Sequence, residues 1–243
     1  MPQRDEIQPD RPARRSAIAK MFAHDFRNPI SALTANVSYL QAEMAETSAD
    51  IRGAVDDCAV SLRVLRHLVD NYVQIARLEA GEHVEAGPLP LRLFVTSVLK
   101  ASRELVSAAD VEVRLEGEVP DEICTIELPY ATLVVKNLLV AAAAQAVGTG
   151  GGVTLRVTSD GQRARFSVCD TGPVVEEAHR DALLTLDLQL QAKSLPGARY
   201  ARGFGLYAAG LGAAFLGGET AVGIRDGQFE LVAILPLTKE CAP

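Results

Sequence analysis

Residues 51–76 read IRGAVDDCAVSLRVLRHLVDNYVQIA, and this stretch decides the fold of the N-terminal third. Its apolar positions are Ile51, Val55, Cys58, Leu62, Leu65, Val69, Tyr72 and Ala76. The intervals alternate between four and three, which lines them up on one stripe of an α-helix. A shorter stripe with the same intervals precedes it, at Phe26, Ile30, Leu33, Val37 and Leu40. The link Glu46-Thr47-Ser48-Ala49-Asp50 is short and polar, with Ser48 in position to cap the second helix. A short link makes the helices antiparallel neighbours. Two narrow seams cannot both be buried within one hairpin, so the pattern predicts a homodimer in which two hairpins form a four-helix bundle.

Upstream of the hairpin, residues 1–15 are Pro-rich and charged and read as a disordered lead. The hairpin domain is expected over 16–81. Gly81 and Gly87-Pro88 end the helical pattern. From there to about residue 238 the chain alternates between periods. A helix is expected over Leu93–Ala108 and a strand over Val111–Leu115. Thr132–Val147 reads as a strongly apolar helix, followed by a Gly-rich turn at Gly148–Gly152. Val153–Thr158 and Ala164–Cys169 alternate around Ser159-Asp160-Gly161 and predict a hairpin. A helical segment near Glu176–Gln191, a helix over Gly203–Leu216 and a hairpin across Arg225-Asp226-Gly227 complete the pattern. The fold class is therefore α+β: a helical hairpin at 16–81, then an α/β sandwich at 88–238.

Composition narrows the functional classes. The 243 residues carry a net charge of −7, with 48% apolar and 23% charged residues. That balance suits a globular chain and excludes a generic nucleic-acid binder, which needs a basic surface. The longest apolar stretch, Val134–Val147, is interrupted by Lys136, Asn137 and Gln145 and predicts no membrane span. The polar N-terminus lacks the apolar segment of a signal peptide, so the expected location is cytoplasmic. Cys58, Cys124, Cys169 and Cys241 are widely spaced, so no zinc site or disulfide framework is expected and no metal ligand is assigned. Core packing is the expected place of Cys58 and Cys169.

The chemistry concentrates in His24-Asp25-Phe26-Arg27-Asn28-Pro29. His24 lies about 200° around the helix from Phe26, at ~100° per residue, so it faces away from the seam with Arg27, Asn28 and Ser31. Pro29 has no N–H, which removes the helical bond to the Asp25 carbonyl. An imidazole beside a carboxylate can act as a nucleophile: Asp25 can hold one ring N–H while the other nitrogen attacks an electrophile. Asn28, one turn on, can orient a water or a phosphoryl oxygen. The remaining histidines, His67, His83 and His179, carry no motif and read as solvated or packed.

The stretch AHDFRNPISAL at residues 23–33 resembles the phosphoacceptor box of sensor histidine kinases, and Ala76-Arg77-Leu78-Glu79-Ala80-Gly81 resembles a phrase that closes the second helix in that family. The resemblance extends over residues 16–236. It implies a dimerisation and histidine-phosphotransfer hairpin followed by an ATPase-type domain. It assigns the phosphorylated histidine to His24, the assisting acid to Asp25, and hydrolysis of a phosphorylated partner to Asn28.

The resemblance also implies a nucleotide site with Asn137, Asp170, Gly172, Gly203 and Gly205 as cofactor-binding residues. Asp170-Thr171-Gly172-Pro173-Val174 keeps the adenine-reading Asp and the first Gly, but has Val174 at the second Gly. Gly203-Phe204-Gly205-Leu206 fits the phosphate-side motif, and Lys193, Arg199 and Arg202 lie in the lid between the two. Asn137-Leu138-Leu139-Val140-Ala141-Ala142-Ala143-Ala144 keeps Asn137, but has Ala141 at the family's principal Mg²⁺ ligand and Ala144 at its basic residue. Magnesium requires oxygen ligands, so binding of ATP and Mg is expected to be weak or lost and autophosphorylation impaired.

Three functions follow from the resemblance. The first is a two-component protein that carries a phosphoryl group on His24 and transfers it to an Asp of a response-regulator receiver domain, with ATP as the source. The second is an ATP-independent histidine phosphotransferase or phosphatase. The third is a pseudokinase scaffold that binds a response regulator.

Overall fold

A computed structural model describes residues 11–44, 49–107, 111–147, 151–173, 180–185 and 203–237. The element order is α1 (Arg11–Glu43), α2 (Ala49–Glu79), β1 (Gly87–Pro90), α3 (Leu91–Ser107), β2 (Val113–Glu116), β3 (Ile123–Ile126) and α4 (Leu128–Ala146). Then follow β4 (Val153–Ser159), β5 (Arg163–Asp170), a 3₁₀ turn (Asp181–Leu184), α5 (Gly203–Phe215), β6 (Glu219–Arg225) and β7 (Gln228–Pro236).

α1 and α2 form the antiparallel hairpin, each ~45–50 Å long at 1.5 Å per residue. α1 begins at Arg11, so residues 11–15 are helical and the disordered lead expected there is corrected. Pro12 sits in the first turn, where a missing N–H breaks no intrahelical bond. Ser48 lies outside the described residues. α2 stops at Gly81, whose φ of 69° lets the Gly81 and Glu82 amides turn back onto the Leu78 and Arg77 carbonyls.

Within the chain, α1 and α2 meet through Ala23, Ile30, Val69 and Val73, with Leu62 packed against them. Of the other stripe positions, Phe26, Leu33, Leu40, Ile51, Leu65 and Tyr72 are exposed, Val37 and Val55 are half-buried, and Ala76 is buried. Cys58 is exposed as well, which corrects its expected burial. It lies on the α2 stripe, which α1 does not cover at that level.

The second unit packs α3, α4 and α5 on one face of a five-stranded sheet of order β2-β4-β5-β7-β6. β4–β5, β5–β7 and β6–β7 pair antiparallel, and the two expected hairpins lie where the turns predicted. β2 pairs with β4 in parallel, and α4 supplies the crossover between them. β1 and β3, neither of them expected, form a separate antiparallel ribbon with Gly87 opposite Ile126. Of the segment expected near Glu176–Gln191, only the turn at Asp181–Leu184 falls within the described residues, as do only Gly151 and Gly152 of the Gly-rich turn.

Phe94 and Phe166 meet edge to face at 5.7 Å in the core, surrounded by Val98, Leu138, Leu139, Leu155 and Leu231. α4 is long and apolar enough to cross a membrane by length and composition, and 61% of its apolar window is buried inside the protein. A second, smaller cluster joins the two units. Ile75 and Leu78 of α2 pack with Tyr130 and Leu133 of α4 and Ala208 of α5.

Candidate functional site

His24 sits in the first half of α1, and the helix runs unbroken through Pro29. Ala23 and Ile30 point into the hairpin, while Phe26, Arg27, Asn28 and Ser31 are exposed. The side chains of His24, Asp25 and Pro29 lie outside the described set. Arg27, three residues after His24, donates from Nη2 to Asp70 Oδ1 on α2 at 2.7 Å. This exposed pair links α1 to α2 three residues after His24.

The residues expected around a nucleotide fall in two groups along α4. At its C-terminal end, Asp170 is fully buried at the end of β5, and its Oδ1 accepts the Gly172 N–H at 2.8 Å. A Cβ on Gly172 would come within 2.4 Å of the Gln145 carbonyl, so only glycine lets the turn lie against α4. Gln145 Nε2 donates to the Pro173 carbonyl at 2.9 Å and holds the same turn. Two turns earlier, Asn137 is buried and faces the start of α5, where a Cβ on Gly205 would sit 2.9 Å from Asn137 Oδ1. Gly203 is the first residue of α5, whose open N–H groups form a positive helix end. Val174, Lys193, Arg199 and Arg202 lie outside the described residues.

Asp170 and Gly172, expected on the adenine side, thus lie together in one close-packed turn against α4. At the position where a magnesium ligand is expected, Ala141 presents a methyl group, and the Asn137 amide bonds to Asn71 and to the Leu133 carbonyl.

The partner of Asn137 is on the hairpin. Asn71 Nδ2 donates to Asn137 Oδ1 at 2.9 Å, and Asn137 Nδ2 donates back to Asn71 Oδ1 at 3.1 Å. Asn137 Nδ2 also donates to the Leu133 carbonyl at 2.8 Å, and Asn71 Nδ2 lies 3.2 Å from His67 Nε2. The Leu133 carbonyl can only accept. That fixes the orientation of the Asn137 amide, which fixes Asn71, which in turn requires an acceptor at His67 Nε2. His67 is thus neutral, with its proton on Nδ1. Burial pushes its pKa down to about 4, and the charge of Lys136 acts in the same direction. His67 is packed, and its partner Asn71 carries no motif in the sequence. The signal available was two polar residues one turn apart on α2, off the apolar stripe.

A second polar clamp holds the linker. Buried Glu127 accepts the Val84 N–H at 2.7 Å and pairs with His83 Nδ1 at 2.9 Å. The His83 ring lies against Phe215 at 4.6 Å, and Phe215 meets Tyr130 edge to face at 5.2 Å. Tyr130 Oη donates to the Glu82 carbonyl, and Ser16 Oγ donates to Glu82 Oε1. His83 was another histidine without a motif. Its partner lies 44 residues away, too far for local spacing to show.

Residues 14–81 match the family described as His Kinase A (phospho-acceptor) domain. The Adaptive-response sensory kinase SasA of Rippkaea orientalis is 24% identical over 172 residues, covering 67% of this chain and 43% of that protein. Full-length ShkA, solved in complex with AMPPNP, superposes with a TM-score of 0.64 at 23% identity, covering 93% of this chain and 47% of ShkA. The nucleotide-free catalytic domain of the histidine kinase ThkA gives a TM-score of 0.53 at 16% identity, covering 65% of this chain and 100% of that domain. The structural likenesses establish the fold. The chain spans less than half the length of SasA and of ShkA.

Proposed function

We propose that the chain is a sensor histidine kinase core that holds a phosphoryl group on His24 and passes it to an aspartate of a response-regulator receiver domain, a reading supported by the phospho-acceptor match and the likeness in fold. The observation that carries this reading is the HDFRNP box at residues 24–29, set inside the matched phospho-acceptor stretch on a solvent-facing part of α1. In the transfer, the N–P bond of the phosphohistidine breaks and an O–P bond to the aspartate carboxylate forms. With its other nitrogen protonated and held by Asp25, the ring leaves as neutral imidazole. Asn28 is exposed on the next turn and orients a water when the phosphoryl group is hydrolysed instead.

The same proposal includes a homodimer that covers the bare stripes, a cytoplasmic location, and domain limits near 16–81 and 88–238. Phosphorylation of His24 from ATP is weak in this reading, because Ala141 and Ala144 supply neither a metal ligand nor a positive charge. One observation favours the ATP-independent phosphotransferase or phosphatase over the kinase: Asn137, the retained amide of the family motif, is bonded to Asn71 of the hairpin.

The test is an acid-labile phosphate assay on the wild type and His24→Ala, with ATP and Mg²⁺ in one arm and a phosphorylated receiver domain in the other. The expected result is little label from ATP, and exchange with the receiver that disappears in His24→Ala. Full exchange in His24→Ala would overturn the proposal. Strong ATP labelling that depends on His24 would restore the kinase.

A further inference from the structure

A cleft of about 440 Å³ opens between α2, α3 and α4, apart from every residue assigned so far to phosphotransfer or to the nucleotide. Its charged lining is Arg63, Arg66 and Asp70 from α2, Lys100 and Glu104 from α3, and Lys136 from α4. Four cations thus face two carboxylates, on a chain whose net charge is −7. Asp70 is shared with Arg27 at 2.7 Å, and Asp70 and Glu104 together offset part of the Lys136 charge, which leaves two positive charges in excess in the lining.

Two of the cations are set where water reaches them poorly. Lys136 is half-buried, and burial pushes its ammonium below the ordinary lysine range; Arg66 pushes it the same way, against Asp70 and Glu104. The Arg63 Nε–H is enclosed and has no hydrogen-bond acceptor among the described residues. An enclosed cationic donor without an acceptor is destabilising. An anion entering the cleft would neutralise the excess charge on the wall that the Arg63 guanidinium helps to line. His67, which also lines the cleft, is neutral and does not oppose or add to this.

We infer that this cleft is a binding site for a small phosphate-bearing molecule, held by Arg63, Arg66, Lys100 and Lys136. Guanidinium forks match phosphate oxygens in pairs, and lysines add point charge. The volume of about 440 Å³ falls within the range of small-molecule sites. Since its walls come from both the hairpin and the sheet domain, a bound anion ties the two together.

Calorimetry at low salt with inorganic pyrophosphate and, separately, ADP tests this on the whole chain. Pyrophosphate is expected to bind, with a Kd that rises steeply with salt. Lys136→Gln and Lys100→Gln should each weaken it tenfold or more. Lys100 is exposed on α3, so its variant reads the site even if Lys136→Gln disturbs packing. Asp170→Asn, at the adenine side of the other site, should leave pyrophosphate binding unchanged. ADP binding more tightly than pyrophosphate, and sensitive to Lys100→Gln, assigns a nucleoside phosphate; equal affinity assigns the inorganic anion. The absence of pyrophosphate binding, or binding that both lysine variants retain, overturns the inference.

Discussion

Helix α4 is apolar nearly all round and the hairpin along a single stripe, and Val134, Leu138, Leu139 and Ala142 of α4 are fully enclosed while Leu33, Leu40 and Ile51 of the hairpin are about half exposed. The difference lies in what each helix faces. α4 has a sheet on one side and α5 and α2 on the others, so its side chains are covered within the chain. The upper hairpin faces one other helix of the same width. Periodicity thus reports that a helix has an apolar face, and the neighbouring layers decide whether the chain itself can cover it.

The comparison can be broken most forcefully at Leu138. Leu138→Ala should cost about 2–5 kcal/mol in urea unfolding, from lost burial and a residual cavity. Leu33→Ala, in the dilute chain, should cost less than about 1 kcal/mol. An equal loss at both positions would mean that the bare stripe is already covered at that dilution. At higher concentration, sedimentation of Leu33→Ala should show weaker self-association than the wild type.

The contact between the two regions should be sensitive to acid through His67. Its pKa is depressed in the folded chain, so the unfolded state takes up a proton first as pH falls. Stability is then full above about pH 6.5 and declines toward about pH 4, by up to about 3 kcal/mol. Thermal unfolding across that window should lose part of its slope in His67→Gln. If the slope is unchanged, His67 is not the group that titrates.

Asn71→Ala would leave the buried Asn137 amide without its partner, at about 1–3 kcal/mol. The double variant with Asn137→Ala should cost less than the sum of the two single changes. Strict additivity, measured by chemical denaturation, would separate the two amides energetically. The smallest effect belongs to Arg27→Ala. Its ion pair with Asp70 is solvent-exposed and should contribute about 0.2–1 kcal/mol, reduced further at high salt.

The parts of the fold legible in the sequence are those with local causes. The α2 stripe, the apolar run of α4, and the turns at Ser159-Asp160-Gly161 and Arg225-Asp226-Gly227 each contain their own signal. At Asp226 and Gly227, φ values of 54° and 78° match the tight hairpin turn that an Asp-Gly pair favours. The parts that were not legible depend on distant partners. Gly87-Pro88-Leu89-Pro90 reads as a breaker and becomes a strand only because Ile123–Ile126 lies alongside it, in an isolated two-stranded ribbon that tolerates proline. In the site, the HDFRNP box and the Asp170 and Gly205 motifs could be read directly. The Asn71–Asn137 pair spans 66 residues and could not be read from either neighbourhood.

The junction of Ile75 and Leu78 with Ala208 has a consequence for synthesis on the ribosome. About 130 residues separate the two sides of that contact, roughly 6–26 s of translation at ordinary speeds. During that interval the lower end of α2 has emerged without its cover, while the upper stripe is already complete. The hairpin is thus born with both ends of its apolar surface in water. Any neighbour that covers the upper stripe, a second nascent hairpin included, meets it before the sheet domain exists to compete.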